Sequence, residues 1–147
     1  MKHFIHRLPT VIISKIITYT YRPQNKKLLN DIEHFKKTQD LLLNLYQTYW
    51  GNFYLDLDSE EYKHWLFNDI LSYANHYKAI IYGHVCHFYT IFKRHHQLQT
   101  IESIQNYVKK VMFKKVNTQI NLLLGLLNIQ ERDDFVFECY SRFAHES

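Results

Sequence analysis

Turn-forming residues are scarce in this chain of 147 residues, which contains only three glycines and two prolines. Globular proteins usually hold about 7% glycine and 5% proline, and both residue types punctuate turns and strand ends. Apolar residues instead recur along the chain at spacings of three and four, which is typical of amphipathic helices. We therefore predict an all-α fold.

Cysteines and long apolar runs are equally sparse. Cys86 and Cys139 show no spacing pattern, which argues against a secreted disulfide framework and favours a reducing compartment. The apolar runs 11–17 and 120–129 are both interrupted by polar residues and fall short of the roughly 20 residues that a membrane-spanning helix needs. We expect an intracellular protein that is neither secreted nor membrane-spanning.

Motifs of common catalytic sites are also missing. The chain has no Gly-x-Ser-x-Gly elbow, no phosphate-binding glycine loop and no His-Glu-x-x-His helix. The acidic residues Asp56, Asp58, Glu60 and Glu61 cluster before a predicted helix, where capping and the helix dipole explain them. We predict a non-catalytic protein that needs no cofactor.

Apolar stripes at helical spacing outline five or six helices in a single compact domain, residues 1–147. The stripes cover about residues 9–22, 25–49, 58–73, 75–95, 100–127 and 133–143. We expect Asp58 with Glu61, Thr100, and Asp133 or Asp134 to cap the helices that begin at those positions.

The net charge of +4 is unevenly distributed. Residues 1–37 carry eight basic and two acidic residues, and residues 93–115 carry six and one. Residues 56–69 and 131–147 are acidic. Opposed segments in one small domain are more often neighbours or solvated faces than a nucleic-acid footprint, so a nucleic-acid partner is not favoured.

Four lysines form a candidate basic face. Lys109, Lys110, Lys114 and Lys115 flank apolar residues on a predicted helix, a geometry suited to an anionic surface. The same pattern also fits a solvated lysine rim around a stripe that faces the core, and the sequence favours that reading.

The densest group of possible metal ligands lies in residues 84–96. His84 and His87 are three residues apart on a predicted helix, and Cys86 lies between them. A structural zinc site needs four ligands, and no second short-spaced pair is present. A buried histidine on an apolar helix face is the favoured explanation, so we predict no metal site, with a metal-binding protein kept as one alternative.

Aromatic residues crowd the segment that follows the second predicted helix. Tyr49, Trp50, Phe53 and Tyr54 lie within six positions. Tyrosine and tryptophan are enriched at interface hot spots, and the same residues also serve as a cover for a hydrophobic core. The sequence leaves both interpretations open.

The start of the chain carries a Leu-Pro step, at Leu8 and Pro9, followed by aliphatic residues at helical spacing. With Leu-Leu-Asn-Asp-Ile following at 28–32, residues 5–40 resemble the F-box-like N-terminal segment of uncharacterised proteins of nucleocytoplasmic large DNA viruses. The abundance of Lys, Asn, Ile and Tyr, which AT-rich codons encode, agrees with such a source. The helical remainder would be residues 41–147.

The resemblance implies a protein partner. In F-box proteins this segment docks a Skp-type adaptor of a ubiquitin ligase through the aliphatic helix face. Carried over by position, the contact residues would be Leu8, Pro9, Ile12, Ile13, Ile16 and Ile17. These isoleucines would also suit a hydrophobic core. We therefore expect a helical protein–protein interaction module in the host cytoplasm or the virion. The alternative is a small capsid-associated virion component, whose partners would be virion proteins.

Overall fold

The computed structural model describes residues 9–20, 25–53 and 60–145, and all of their regular structure is helical. Seven α-helices and one short 3-10 turn, Ile80–Tyr82, occur in these ranges. The α-helices are α1 Thr10–Thr20, α2 Lys26–Phe53, α3 Glu61–Ala74, α4 Cys86–Phe92, α5 Ile101–Met112, α6 Val116–Leu126 and α7 Ile129–His145. The all-α prediction is confirmed, and the predicted number of five or six helices is too low.

The chain divides into two compact units, which we call the N-terminal unit, residues 1–30, and the main unit, residues 31–147. The expectation of a single domain stays a prediction.

None of the described helices combines the length and the apolar character that a membrane span requires.

Local signals explain where the helices of the N-terminal unit begin. The carbonyl of Pro9 accepts hydrogen bonds from the amides of Ile12 and Ile13, at 2.8 and 3.1 Å. Proline suits this position because its fixed φ matches the first helical turn. The side chain of Asn25 accepts a hydrogen bond from the amide of Lys27 at 2.9 Å, which caps the start of α2.

The core of the main unit is centred on the packing of α3 against α6. Both helices place fully buried aliphatic side chains there, among them Leu66 and Ile70 from α3 and Leu124 from α6. The other helices of the unit add large side chains to the same cluster, including Leu42, Tyr46, Phe88, Phe92 and Phe135. Each such side chain contributes roughly 1.5–3 kcal/mol through burial.

The prediction of one helix over residues 75–95 is wrong, because the chain leaves the helical conformation at residues 76 and 77. His76 and Tyr77 adopt φ values of 49° and 57°, and Gly83 follows at 87°. Side chains with a Cβ rarely adopt such angles, so this segment must be held in place by other contacts. The helical part, α4, is limited to Cys86–Phe92.

One buried asparagine supplies those contacts. The side chain of Asn75 donates to the carbonyl of Lys78 at 2.8 Å and to that of Gly83 at 3.3 Å. Its oxygen accepts from the amide of Val85 at 2.9 Å. Asn75 is fully buried, so these bonds replace water for several backbone groups of the loop.

The long helix predicted over residues 100–127 is also interrupted. Thr100 caps α5 as predicted, in a reciprocal capping box with Ser103. Lys115 then takes an extended conformation, with ψ at 142°, and separates α5 from α6. The buried side chain of Gln119 donates to the carbonyls of Val111 and Met112, at 3.1 and 3.0 Å, and so satisfies the exposed end of α5.

The predicted cap of the last helix, Asp133 or Asp134, is misplaced. Helix α7 begins at Ile129, four residues before Asp133. The amide of Asn128 donates to the carboxylate of Glu131, and the amide of Glu131 donates to the side-chain oxygen of Asn128, both at 2.9 Å, so this pair caps the helix. Glu60 precedes α3 without a side-chain cap bond, and Asp58 lies outside the described residues.

Candidate functional site

The start of α1 presents aliphatic side chains to solvent. Val11 is 70% exposed and Ile12 44% exposed, while Pro9 is exposed and Ile13 half-buried. We call these four residues the α1 surface. Isolated exposed aliphatic residues are common in folded proteins, whereas here such residues follow one another on one helical turn.

The α1 surface includes three of the six contact residues expected from the sequence. Pro9, Ile12 and Ile13 lie together at the first turn. Ile16 and Ile17 belong to the helical backbone of α1, and their side chains lie outside the described residues, as does all of Leu8.

The beginning of α2 shows the same property within the N-terminal unit. Leu28 and Leu29 are each about half exposed. Helix α1 carries no acidic side chain in its first turn and no basic one in its last, so the α1 surface is apolar and uncharged. Such a surface gains free energy when a matching apolar face covers it, at about 25 cal/mol per Å² of buried apolar area.

The histidines of residues 84–96 are separated by the structure. The ring of His84 stacks on Phe88, with ring centroids 3.9 Å apart and planes inclined by 6°. Its Nδ1 is buried and has no hydrogen-bond partner among the described residues. Burial lowers the pKa of His84, so the neutral imidazole is favoured and packs as an aromatic ring.

His87 contacts a different histidine. Its ring lies against His76, with centroids 4.2 Å apart, because the turn after α3 brings residue 76 back towards α4. Burial and the neighbouring His76 lower the pKa of His87. Cys86 is exposed, and within the described ranges no three His, Cys, Asp or Glu side chains are arranged so that they could hold a metal ion.

The pair of His76 and His87 lies in an open cleft of about 650 Å³ between the turn and α7. Glu138 accepts a hydrogen bond from Tyr77. The Nη2 of Arg94 lies 2.7 Å from a carboxylate oxygen of Glu131. These bonds tie the loop and the end of α4 to α7, so the cleft has a clear structural role.

The electrostatic environment of the cleft is negative. Burial raises the pKa of Tyr73 to about 12, and the carboxylates of Asp134, Glu131 and Glu138 add to that shift. The sequence did not predict this group, because its members are far apart in the chain and are brought together by the turn at residues 76 and 77.

The four lysines of the candidate basic face are all exposed. Val111 and Val116 are buried beside them, so the apolar stripe faces the core and the lysines form its solvated rim. Met112 and Phe113 do not follow the stripe and are exposed. The binding role of Lys109, Lys110, Lys114 and Lys115 stays a prediction.

The described part of the aromatic patch packs on the core. Tyr49 stacks on Phe143 with centroids 4.1 Å apart, and Trp50 stacks on Trp65 at 5.0 Å. Tyr54 and the side chain of Phe53 lie outside the described residues. Stacking of this kind agrees with a cover over the core, and an interface role for the patch stays a prediction.

No protein-family model, curated protein or solved structure matches this chain. The described residues form an all-α protein with exposed aliphatic side chains at the start of α1 and at the start of α2.

Proposed function

We propose that this chain is a non-catalytic protein–protein interaction module whose contact surface is the α1 surface. The observation that supports this function is the exposure of Val11 and Ile12 on the first turn of an aliphatic helix. The described side chains of α1, residues 10–15, are all exposed or half-buried, while the main unit has a buried hydrophobic cluster of its own.

A helical partner face would complete this surface. The half-buried Ile13 and the exposed Ile12 lie next to each other on the turn, and Leu28 and Leu29 extend the apolar area of the N-terminal unit. Helix-in-groove docking uses aliphatic anchors at this kind of spacing.

The proposed partner is a Skp-type adaptor. This part of the proposal rests on the F-box-like order of Leu8, Pro9 and the following isoleucines. The adaptor would cover the same aliphatic residues that α1 exposes.

The test is affinity purification of the full chain from producing cells, with partners scored by mass spectrometry. The variant Val11→Asp/Ile12→Asp places two charges on the α1 surface. Asn117→Asp/Thr118→Asp is its matched control, since these exposed residues occupy the second and third positions of α6, which has the same length of 11 residues.

We expect the adaptor to co-purify with the wild type and the control, and to fall at least tenfold with Val11→Asp/Ile12→Asp. Circular dichroism should show that all three proteins are equally helical. Absence of the adaptor from the wild type, or its retention by the α1 variant, would overturn the proposed function.

A further inference from the structure

A second exposed apolar group lies where α5 ends and α6 begins. Phe113 is 92% exposed, and Met112 beside it is about half exposed. A phenylalanine with almost no contacts within its own chain is unfavourable in water, because its apolar area stays hydrated. The turn therefore presents an apolar tip with no role in the core.

A neighbouring loop contributes to the same region. Ile81 is 85% exposed, and Tyr82 is exposed to a similar degree. The next residue, Gly83, lines a groove of about 490 Å³ whose opposite wall includes Val108 and Met112 of α5. Gly83, which directly follows the 3-10 turn, and Met112 at the end of α5 thus line one groove. The chain neighbours of these two residues, Tyr82 and Phe113, are exposed aromatic residues.

The charge around this tip is strongly positive. Lys109 and Lys110 precede it, and Lys114 and Lys115 follow it. No acidic residue occurs in the sequence between Glu102 and Glu131.

One carboxylate from another element approaches these lysines. Glu60 accepts a hydrogen bond from Lys63 at 2.7 Å, and that bond, helped by the charge of Lys115, lowers the pKa of the Glu60 carboxyl. Because this acid is already paired with Lys63, it leaves most of the lysine charge uncompensated.

We propose that this tip, formed by Ile81, Tyr82, Met112 and Phe113 with the four lysines around it, docks the protein on an anionic lipid bilayer. The apolar side chains would enter the interfacial region, and the lysine ammonium groups would contact lipid phosphates and carboxylates. Apolar burial and attraction to anionic lipid reinforce each other at such surfaces.

The chemistry of the tip favours a bilayer over a nucleic acid. Tyr82 and Phe113 could stack on bases, but Ile81 and Met112 have no ring, and the tip has no arginine for bidentate phosphate contacts. Aliphatic and aromatic side chains surrounded by lysines are instead typical of interfacial insertion.

The fold holds the tip in place. The side chain of Gln119 is bonded to the carbonyls of Val111 and Met112, directly before Phe113. Val111 and Val116 anchor the two sides of the turn in the core. Docking therefore orders few additional groups, and this lowers its entropic cost.

The experiment is co-sedimentation of the full chain with vesicles of phosphatidylcholine and phosphatidylserine at a ratio of about two to one. Vesicles of phosphatidylcholine alone are the lipid control. Phe113→Ser removes the apolar tip, and Phe137→Ser is its matched control, because Phe137 is 73% exposed on α7 and belongs to a different surface.

We expect binding to the mixed vesicles and little binding to phosphatidylcholine alone. Phe113→Ser should weaken binding about tenfold or more, and Phe137→Ser should leave it unchanged. Lys114→Glu/Lys115→Glu should abolish binding, because charge reversal converts attraction into repulsion. All variants change exposed side chains and should keep the wild-type melting temperature.

Three results would overturn the proposal. The first is equal binding to both kinds of vesicle, and the second is an equal loss for Phe113→Ser and Phe137→Ser. The third is the absence of binding to the mixed vesicles, and salt-sensitive binding to a single-stranded oligonucleotide would then assign the lysines to nucleic acid.

Discussion

Helices α1 and α6 have the same length and a similar content of aliphatic residues, and the structure uses them in opposite ways. Helix α6 buries six side chains, five of them aliphatic. Of the α1 side chains that the structure describes, residues 10–15, none is buried. Composition therefore determines that a helix has an apolar surface, while the neighbours available within the chain determine whether that surface is covered.

The neighbour of α6 is α3. Leu66 and Ile70 of α3 and Leu124 of α6 are all fully buried in the same cluster. The described α1 side chains, residues 10–15, are exposed or half-buried, and our proposal that a partner covers the α1 surface rests on that exposure.

Truncation of a buried α6 residue should cost far more than truncation of the α1 surface. Leu124→Ala should lower the free energy of unfolding by about 2–5 kcal/mol, because it removes transfer energy and leaves a cavity. Ile12→Ala should change it by less than about 1 kcal/mol, since Ile12 is half exposed. Urea denaturation measures both, and similar losses would contradict the comparison.

The buried side of the comparison includes polar residues. Asn75→Ala should lower the free energy of unfolding by about 1–3 kcal/mol, because it removes a buried side chain that bonds to backbone groups of the turn and leaves those groups without it. Asn106→Ala is the matched control, as Asn106 is exposed on α5 and should tolerate the change. An equally small effect of both substitutions would show that water replaces Asn75.

Loss of one helix cap should have a smaller effect. Thr100→Ala removes the side-chain half of the capping box at the start of α5 and should cost about 1 kcal/mol. Thr100→Ser keeps the hydroxyl and should restore most of the stability. Chemical denaturation of the two variants separates the cap from other roles of the residue.

The smallest expected effect is a pH dependence of the free energy of unfolding, which arises from histidines of the main unit. Burial lowers the pKa of His84, and burial together with His76 lowers that of His87. Below the ordinary value of about 6.5, the unfolded state therefore binds more protons, and stability falls as the pH falls. Helix α1 holds no histidine or carboxylate and should not share this loss.

The measurement for this effect is the urea midpoint at about pH 7.5 and about pH 5.5. His84→Phe should reduce the difference between the two midpoints, because a phenylalanine keeps the stack on Phe88 and cannot be protonated. An unchanged difference would place the pH dependence elsewhere in the protein.

Local signals predicted much of the fold. Pro9 at the start of α1 and Thr100 before α5 act within one helical turn, so the sequence alone located both helix starts. Asn128 and Glu131 form an equally local capping box, so the start of α7 is also encoded within one helical turn, by Asn followed three residues later by Glu.

The other errors depend on contacts that the local pattern does not contain. The loop before α4 is organised by the buried Asn75, which bonds to backbone groups up to ten residues away. The break before α6 depends on Gln119, whose side chain returns to the end of α5. Similarly, the spacing of apolar residues predicted helix α1, but it did not predict how exposed the apolar side chains at the start of that helix are.

The most direct test of the comparison is the free energy of unfolding of Val11→Asp/Ile12→Asp, measured against the wild type. Aspartates in the first turn of a helix interact favourably with its dipole, so α1 itself should tolerate them. If the α1 surface is reserved for a partner, the two values should agree within about 0.5 kcal/mol. A loss of about 3 kcal/mol or more, as expected for Leu124→Ala, would show that these residues belong to the core.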